Sequence, residues 1–463
     1  MTGTRPVEAR TAMRSRMVCS GCGTEAGPDE PYPFRCPRAG TEPDVDHVLV
    51  RVLDPSAVEF PSTASEEDSE SPYARYRGLF RSSHVAERFG LGDGELLELV
   101  KLLDESVARV DGHGFRLTPF VREDDLSDRL GFSPSGGVWV KNETGNVSGS
   151  HKARHLMGLL IHLSVAQRVG LVDPADHDAR PLAIASCGNA ALAAAVVARA
   201  ADRRLQVFVP TDADPVIVAR LKELEADIVV APREPGVPGD PTYHALKRAL
   251  AGGALPFTCQ GNESGLAIEG GITLGYEMAS QLRAASASVD RVVVQVGGGA
   301  LASAVAQGLR EAHELGALDR VPALHTVQTT GASPLARAFE RVAAWRGEHD
   351  ASVDEAIEHA RTHRREFMWP WEQEPHSVAS GILDDETYDW LAVVRAMLET
   401  GGSAAVVGEA TLEEANRLGF DTTGIPADHT GTSGLAGLME LRRGGEIGDD
   451  ERVAVLFTGI RRA

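Results

Sequence analysis

At 463 residues the chain is longer than one ordinary hydrophobic core, so two or three structural units are expected. Its 46 basic and 67 acidic residues give a formal net charge of −21, which argues against a nucleic-acid or anionic-membrane surface. No segment approaches the ~20 apolar residues of a bilayer span, and five cysteines, an odd number, do not read as a disulfide framework; a soluble cytoplasmic protein is expected.

Residues 1–16 carry Arg5, Arg10, Arg14 and Arg16 with no apolar stretch after them, so they read as a flexible leader and not as a secretory signal. Cys19-Ser20-Gly21-Cys22 follows, and then Cys36. A tight turn between two such cysteines aims both thiolates at one tetrahedral ion, which makes this half of a zinc ribbon with Cys19, Cys22 and Cys36 as candidate metal ligands. Ala39 stands where a fourth thiolate belongs, and His47 is a substitute at an unusual spacing. The expectation is a degenerate knuckle over 1–48, held by packing. Residues 48–53 alternate like an edge strand. The acidic, serine-rich run from Ser65 to Glu70 reads as a mobile surface loop. Helical apolar spacing covers 95–107, and Leu117-Thr118-Pro119-Phe120 follows a turn.

From there strands and helices alternate. Strands are expected at 138–141, 182–185, 205–209, 227–230, 292–296, 324–328 and 453–457. Helices are expected at 155–169, 190–201, 214–226 and 300–313, with Asp214-Pro215 serving as N-cap and first helical residue. Short apolar strands alternating with helices imply a mostly parallel sheet covered on both faces, which binds ligands at the carboxyl ends of its strands.

Three loops occupy such positions. The first runs from Lys141 through Ser148-Gly149-Ser150-His151-Lys152-Ala153-Arg154 into a helix. A lysine there sits at the positive end of the macrodipole, which disfavours its charge, and a lysine nucleophile usually forms a Schiff base. The second is Ser186-Cys187-Gly188-Asn189-Ala190, where small residues let backbone N–H groups face an anion and the asparagine amide is a directed donor. The third is Gly297-Gly298-Gly299-Ala300-Leu301, whose amides can cradle a phosphate without a basic side chain. It is neither a GxGxxG fingerprint nor a P-loop. The strand at 453–457 ends in Thr458-Gly459, which places a hydroxyl at the same kind of strand end. His325, His363 and His376 read as surface or satisfied core residues, Cys259 as a core residue, and Trp369-Pro370-Trp371 as a packed surface excursion.

In this order, the lysine, asparagine and glycine loops and the terminal threonine resemble the fold-type II, tryptophan-synthase-like pyridoxal-phosphate enzymes, most of all the threonine synthase family. Further likenesses are Leu117–Phe120, Glu269-Gly270-Gly271-Ile272-Thr273 and Thr430-Gly431-Thr432-Ser433-Gly434-Leu435-Ala436-Gly437. Even the Cys19/Cys22/Cys36 knuckle is similar to one found ahead of some threonine synthases. The resemblance implies an α/β fold of two open, mostly parallel sheets wrapped by helices. It implies a large cofactor domain over 49–150 and 275–463, and a smaller mobile domain over 151–274. It also implies pyridoxal 5′-phosphate as cofactor, an amino-acid substrate and a homodimer.

By the same resemblance, Lys152 holds the cofactor and acts as base at the substrate Cα, with His151 beside it. Gly297, Gly298, Gly299, Ala300 and Leu301 bind the phosphate, Asn189 the ring hydroxyl and Thr458 the pyridine nitrogen. Ser148, Ser186, Cys187 and Gly188 meet the substrate. The chain departs from threonine synthases at His151-Lys152-Ala153, where they usually show Phe-Lys-Asp, and His before the lysine is more like the tryptophan synthase β chain. It departs again at Gly271-Ile272, where they show Gln-Lys and where a phosphorylated substrate would be bound. The implied activity is therefore a lyase or replacement enzyme acting at Cβ or Cγ. A serine/threonine dehydratase, a cysteate- or cysteine-forming synthase and a catalytically silent cofactor-binding protein stand as alternatives.

Overall fold

The computed structural model describes residues 11–62, 71–233 and 239–462. The acidic run Ser65–Glu70 lies outside them, as do Arg5 and Arg10 of the leader. Among the described residues the strands are β1 (Ser15–Cys19), β2 (Glu25–Ala26), β3 (Leu49–Leu53), β4 (Phe120–Glu123), β5 (Gly137–Asn142), β6 (Leu182–Ala185), β7 (Leu205–Val209), β8 (Asp227–Val230), β9 (Leu255–Pro256), β10 (Arg291–Gln295), β11 (Ala323–Thr329), β12 (Ala404–Val407) and β13 (Arg452–Phe457). Ser15 and Arg16 thus belong to a strand, which shortens the expected leader.

The chain forms two compact units. Unit 1 takes in the described residues up to 39, then 47–117 and 152–273; unit 2 takes in 40–46, 118–151 and 274–463. Residues 49–117, which the sequence suggests grouping with 275–463, therefore lie in one unit with 152–273. The reason is packing: the helices Arg81–Arg88 and Asp93–Asp111 lie against the helices Lys152–Arg168 and Asn189–Ala200.

Unit 1 holds an antiparallel sheet in the order β2-β1-β3 and a parallel sheet in the order β8-β7-β6-β9. The burial of β1 and β3 alternates along each strand, as expected for a sheet with one face packed. Unit 2 is built on a six-stranded sheet, β12-β11-β10-β13-β5-β4, parallel throughout except for β4. Its central strands are valine-rich because helices cover both faces: Val292 and Val294 enter one core cluster, while Val293 and Val455 enter another.

Candidate functional site

In unit 2 the Lys152 loop is pinned from both ends. At its start, Asn146 caps a short 3-10 turn by accepting from the Val147 N–H at 2.8 Å, and its Nδ2 donates to Glu143 Oε2 at 2.8 Å. Glu143 belongs to a buried network with Thr118, the threonine of the Leu117–Phe120 motif. Thr118 Oγ1 and N–H also donate to Glu277 Oε2 at 3.2 and 3.1 Å. Lys141 Nζ completes the network, 2.6 Å from Glu277 Oε2 with both side chains fully buried.

At its end the loop turns sharply. Ser148 and Gly149 both adopt left-handed backbone angles, with φ of 55° and 69°. A Cβ on Gly149 would lie 2.4 Å from Ile460 Cγ2, so glycine is required there both for its angles and for space. The segment after β13 holds the turn: the Ile460 N–H donates to Gly149 O at 2.9 Å, Arg462 donates to Ser148 O at 2.7 Å, and the His151 N–H donates to Thr458 O at 3.2 Å. His151 Nδ1 lies 3.3 Å from the same carbonyl, and Lys152 is the next residue in the chain. Ser150 Oγ, two residues before Lys152, is buried without a hydrogen-bond partner among the described residues.

The glycine loop follows β10. The Gly297 carbonyl accepts from Thr387 Oγ1 at 2.9 Å, and the Gly298 carbonyl accepts from the Asp389 N–H at 3.1 Å. In a trans peptide the next N–H points the opposite way, so the amides of Gly298 and Gly299 face away from the 387–389 segment. That segment packs so closely that a Cβ on Gly298 would lie 2.8 Å from Tyr388 Cδ2, and one on Gly299 2.9 Å from Thr387 Cγ2. Gly299, at φ 98°, is the N-cap of the helix Ala300–Glu314, whose first-turn amides have no intrahelical acceptor.

Gln295, the last residue of β10, was not singled out by the sequence. Its Nε2 lies 2.8 Å from Thr458 Oγ1 and 3.1 Å from each of the carbonyls of Thr430, Gly431 and Leu456. Three of those neighbours can only accept, which fixes the amide orientation. The one signal was a polar residue directly after three consecutive valines. Gly434 leaves room for it, since a Cβ there would lie 2.9 Å from Gln295 Oε1.

In unit 1, Lys152 is half-buried at the start of the helix Lys152–Arg168. That helix crosses the start of the helix Ala267–Ala284 at glycines. A Cβ on Gly270 would lie 2.0 Å from Arg154 O, and one on Gly271 2.2 Å from His155 Cε1. Ile272 is fully buried, and Thr273 Oγ1 accepts from Arg154 at 2.9 Å. The Glu269–Thr273 motif is thereby committed to helix packing. His155 donates from Nδ1 to Ala267 O at 2.9 Å, and burial pushes its pKa down to about 3. Asn189 opens the helix Asn189–Ala200 with Gly188 as N-cap; Ser186 is half-buried and Cys187 exposed.

Other residues receive plain structural roles. His325 is a satisfied core histidine, bonded to Arg291 and to Ser403 Oγ at 2.9 Å each. Trp369 packs under the Arg337 guanidinium at 3.8 Å, as a surface excursion would. Cys259 is buried.

Each unit by itself offers groups of the kind that bind a phosphorylated aldehyde: unit 1 a primary amine and an asparagine at a helix start, unit 2 glycine amides turned to one side, a buried hydroxyl and the orphaned Ser150 Oγ.

Comparison with known proteins gives the same direction. Residues 113–459 match the family described as pyridoxal-phosphate dependent enzyme. A threonine synthase of Methanocaldococcus jannaschii is 25% identical over 80% of this chain and 80% of its own. A threonine synthase of Methanosarcina acetivorans is 26% identical over 74% of each. Among solved structures, a threonine deaminase isoform of Solanum lycopersicum aligns over 80% of this chain and 91% of its own, with 17% identity and a TM-score of 0.57. The family match spans most of the chain, and the fold agrees with it: this protein belongs to the pyridoxal-phosphate dependent enzymes of fold type II.

Proposed function

We propose that the chain is a lyase or replacement enzyme that removes a β or γ substituent from a small amino acid, with threonine synthase-like chemistry. One observation carries the reading: the residue preceding Lys152 is bonded through its N–H to the carbonyl of Thr458 at 3.2 Å, so the lysine leaves a turn anchored on the strand end that bears the hydroxyl. The similarity to two threonine synthases supports it.

When bound, pyridoxal phosphate supplies an electron-withdrawing ring that weakens the bonds at the substrate Cα. Lys152 would hold its aldehyde carbon, and the Lys152 amine would serve as the base for the proton at the substrate Cα. The amides of Gly297 to Leu301 would hold the phosphate, and Asn189 would bond the ring hydroxyl. Ser148, Ser186, Cys187 and Gly188 would receive the substrate carboxylate, with His151 buttressing the lysine turn. Thr458 would meet the ring nitrogen. Gln295 already donates to Thr458 Oγ1, which leaves the threonine proton to be given onward. A neutral hydroxyl does not force that nitrogen to protonate, so the ring is a weaker electron sink than one paired with a carboxylate. Prompt loss of a leaving group is favoured over transamination.

A dehydratase or β-replacement reading is favoured by the burial of Gly271 and Ile272, which removes from the ligand-facing surface two positions tied to a phosphorylated substrate. Product analysis separates the cases. Purified protein is incubated with O-phospho-L-homoserine, L-threonine or L-serine, and free threonine, 2-oxo acid and phosphate are measured. Threonine plus phosphate supports the leading reading; a 2-oxo acid from threonine or serine moves the assignment to a dehydratase. No product, together with no spectral change, contradicts both. A cytoplasmic homodimer remains part of the proposal, with the dimer checked by light scattering; among the described residues no helix is long and apolar enough to cross a membrane.

A further inference from the structure

The knuckle that the sequence suggests is degenerate has four ligating side chains. Cys19, Cys22, Cys36 and His47 each bring a sulfur or ring nitrogen to within 4.8 Å of all the others. Two edges of the cluster can be compared with a metal site. Cys22 Sγ and Cys36 Sγ are 3.6 Å apart, and Cys19 Sγ and His47 Nδ1 are 3.5 Å apart. A zinc tetrahedron with bonds of ~2.3 Å to sulfur and ~2.0 Å to nitrogen has ligand edges of roughly 3.8 Å between two sulfurs and roughly 3.6 Å between sulfur and nitrogen. Both observed edges fall within a few tenths of an ångström of these values. A disulfide, at ~2.05 Å, is far shorter.

The backbone is shaped for the same purpose. Gly23 takes φ 72° and donates to Cys19 O at 2.9 Å, closing the turn between the first two cysteines. The amides of Gly21 and Cys22 bond to the Cys19 sulfur, and the Arg38 N–H bonds to Cys36 Sγ at 3.4 Å. Such N–H groups stabilise thiolates. The fourth ligand arrives through the β-sheet. β1 and β3 pair antiparallel with Cys19 opposite Leu49, and the Ser20 N–H continues the ladder to Val48 O at 2.8 Å, which carries His47 to the cysteines. This explains the 27 residues between Cys19 and His47 that the sequence spacing made unusual: the pairing register, not a local turn, sets their distance.

We propose that Cys19, Cys22, Cys36 and His47 form a closed, structural zinc site in unit 1. Four protein ligands leave no position for water or substrate, so the site is a clasp and not a catalytic centre. What it clasps follows from its contacts. The Gly265 N–H donates to Phe34 O at 2.9 Å, and a Cβ on Gly265 would lie 1.8 Å from Leu49 O. His162, in the Lys152–Arg168 helix, lies 3.0 Å from Pro31 O, and Arg51 of β3 pairs with buried Glu269 at 3.3 Å. The knuckle therefore seats on the two helices that cross beside Lys152. Metal loss loosens that seat.

Metal analysis of the full-length protein tests this, and it does not depend on the identity of the substrate. Protein purified without chelator from zinc-supplemented cells is expected to hold about one zinc per chain. Exchange with Co(II) is expected to give the intense visible bands of a tetrahedral site and a near-ultraviolet thiolate-to-cobalt band. Cys22→Ser and His47→Ala should each lose most of the zinc, His47→Cys should retain it, and stripping wild type with a strong chelator should lower its Tm. Three results would overturn the proposal: wild type that holds less than roughly a tenth of an equivalent of zinc and gives no tetrahedral Co(II) spectrum; a Cys22–Cys36 disulfide in the zinc-supplemented protein; or full zinc content in the folded Cys22→Ser and His47→Ala variants. The Co(II) spectrum of wild type decides the matter even where a variant fails to fold.

Discussion

Gln295 Nε2 lies 2.8 Å from Thr458 Oγ1, across the two neighbouring strands β10 and β13 whose carboxyl ends carry the glycine loop and the terminal threonine. The same amide spans three backbone carbonyls, so one side chain locks both strand ends and sets the direction of the threonine proton. Gln295→Leu leaves buried acceptors without a donor, at about 1–3 kcal/mol for each one that finds no substitute. A lower Tm is expected together with a lower kcat. Thr458→Val removes one neutral hydrogen bond, worth about 0.5–1.5 kcal/mol, and kcat should fall by up to roughly tenfold while Thr458→Ser stays near wild type. Equal rates for the valine and serine variants would contradict the placement of that hydroxyl.

The Lys141–Glu277 pair is fully buried, and its geometry supports the strand that feeds the lysine loop. Removing one partner leaves an uncompensated charge, so Lys141→Met is expected to cost about 3–5 kcal/mol. Adding Glu277→Gln neutralises that charge and keeps an acceptor for Thr118. The double variant should recover much of the loss in urea unfolding; a double variant as unstable as the single would show that the pair acts through something other than charge.

The crossing of the helices Lys152–Arg168 and Ala267–Ala284 depends on absent side chains. Gly270→Ala brings a methyl group to 2.0 Å from the Arg154 carbonyl, a backbone atom that cannot swing aside. A loss of at least about 1–3 kcal/mol is expected. Gly94→Ala, in the helix Asp93–Asp111 with nothing within 4 Å, should instead stabilise by up to about 1 kcal/mol. Opposite signs in Tm are the check, and a neutral Gly270→Ala would refute the close crossing.

Five buried histidines make stability depend on pH. Burial lowers His84 and His155 to about 3, and His162, His177 and His325 to about 4, from an ordinary 6.5. Below 6.5 the unfolded chain binds protons that the folded chain refuses, so their contribution is complete above that pH and is lost as pH falls towards 4. Melting in the presence of a chelator, which removes any metal contribution, should give a lower Tm at pH 5.5 than at pH 7.5. An unchanged or higher Tm at pH 5.5 would contradict the neutral, buried state of these residues.

The parallel strands were legible because each contains a short apolar run: β6 and β7, largely buried, and β8, an exposed edge strand, fall where the runs at 182–185, 205–209 and 227–230 place them. The asparagine and glycine loops were legible because they follow apolar runs closely, and the lysine loop because the Asn-, Gly- and Ser-rich residues after β5 lead into a helix at Lys152. β4 and β12 were not: Phe-Val-Arg-Glu is half charged, and Ala-Ala-Val-Val is built half of alanine, which favours a helix as much as a strand. Gln295 escaped notice because its partners come from residues 430–458, and no local pattern encodes that distance. His47 was named and set aside on spacing, which strand register overrides. The grouping of 47–117 with 152–273 rests on helix packing that composition does not reveal.

The proposed function rests on Lys152 as the residue that binds pyridoxal phosphate. Reduction of the purified, cofactor-loaded protein with borohydride, followed by peptide mass mapping, reads this directly. The expected result is a phosphopyridoxyl group on Lys152, with loss of visible absorbance, and no such group in Lys152→Ala treated alongside. Modification of a different lysine in wild type, or undiminished turnover by Lys152→Ala, would contradict it.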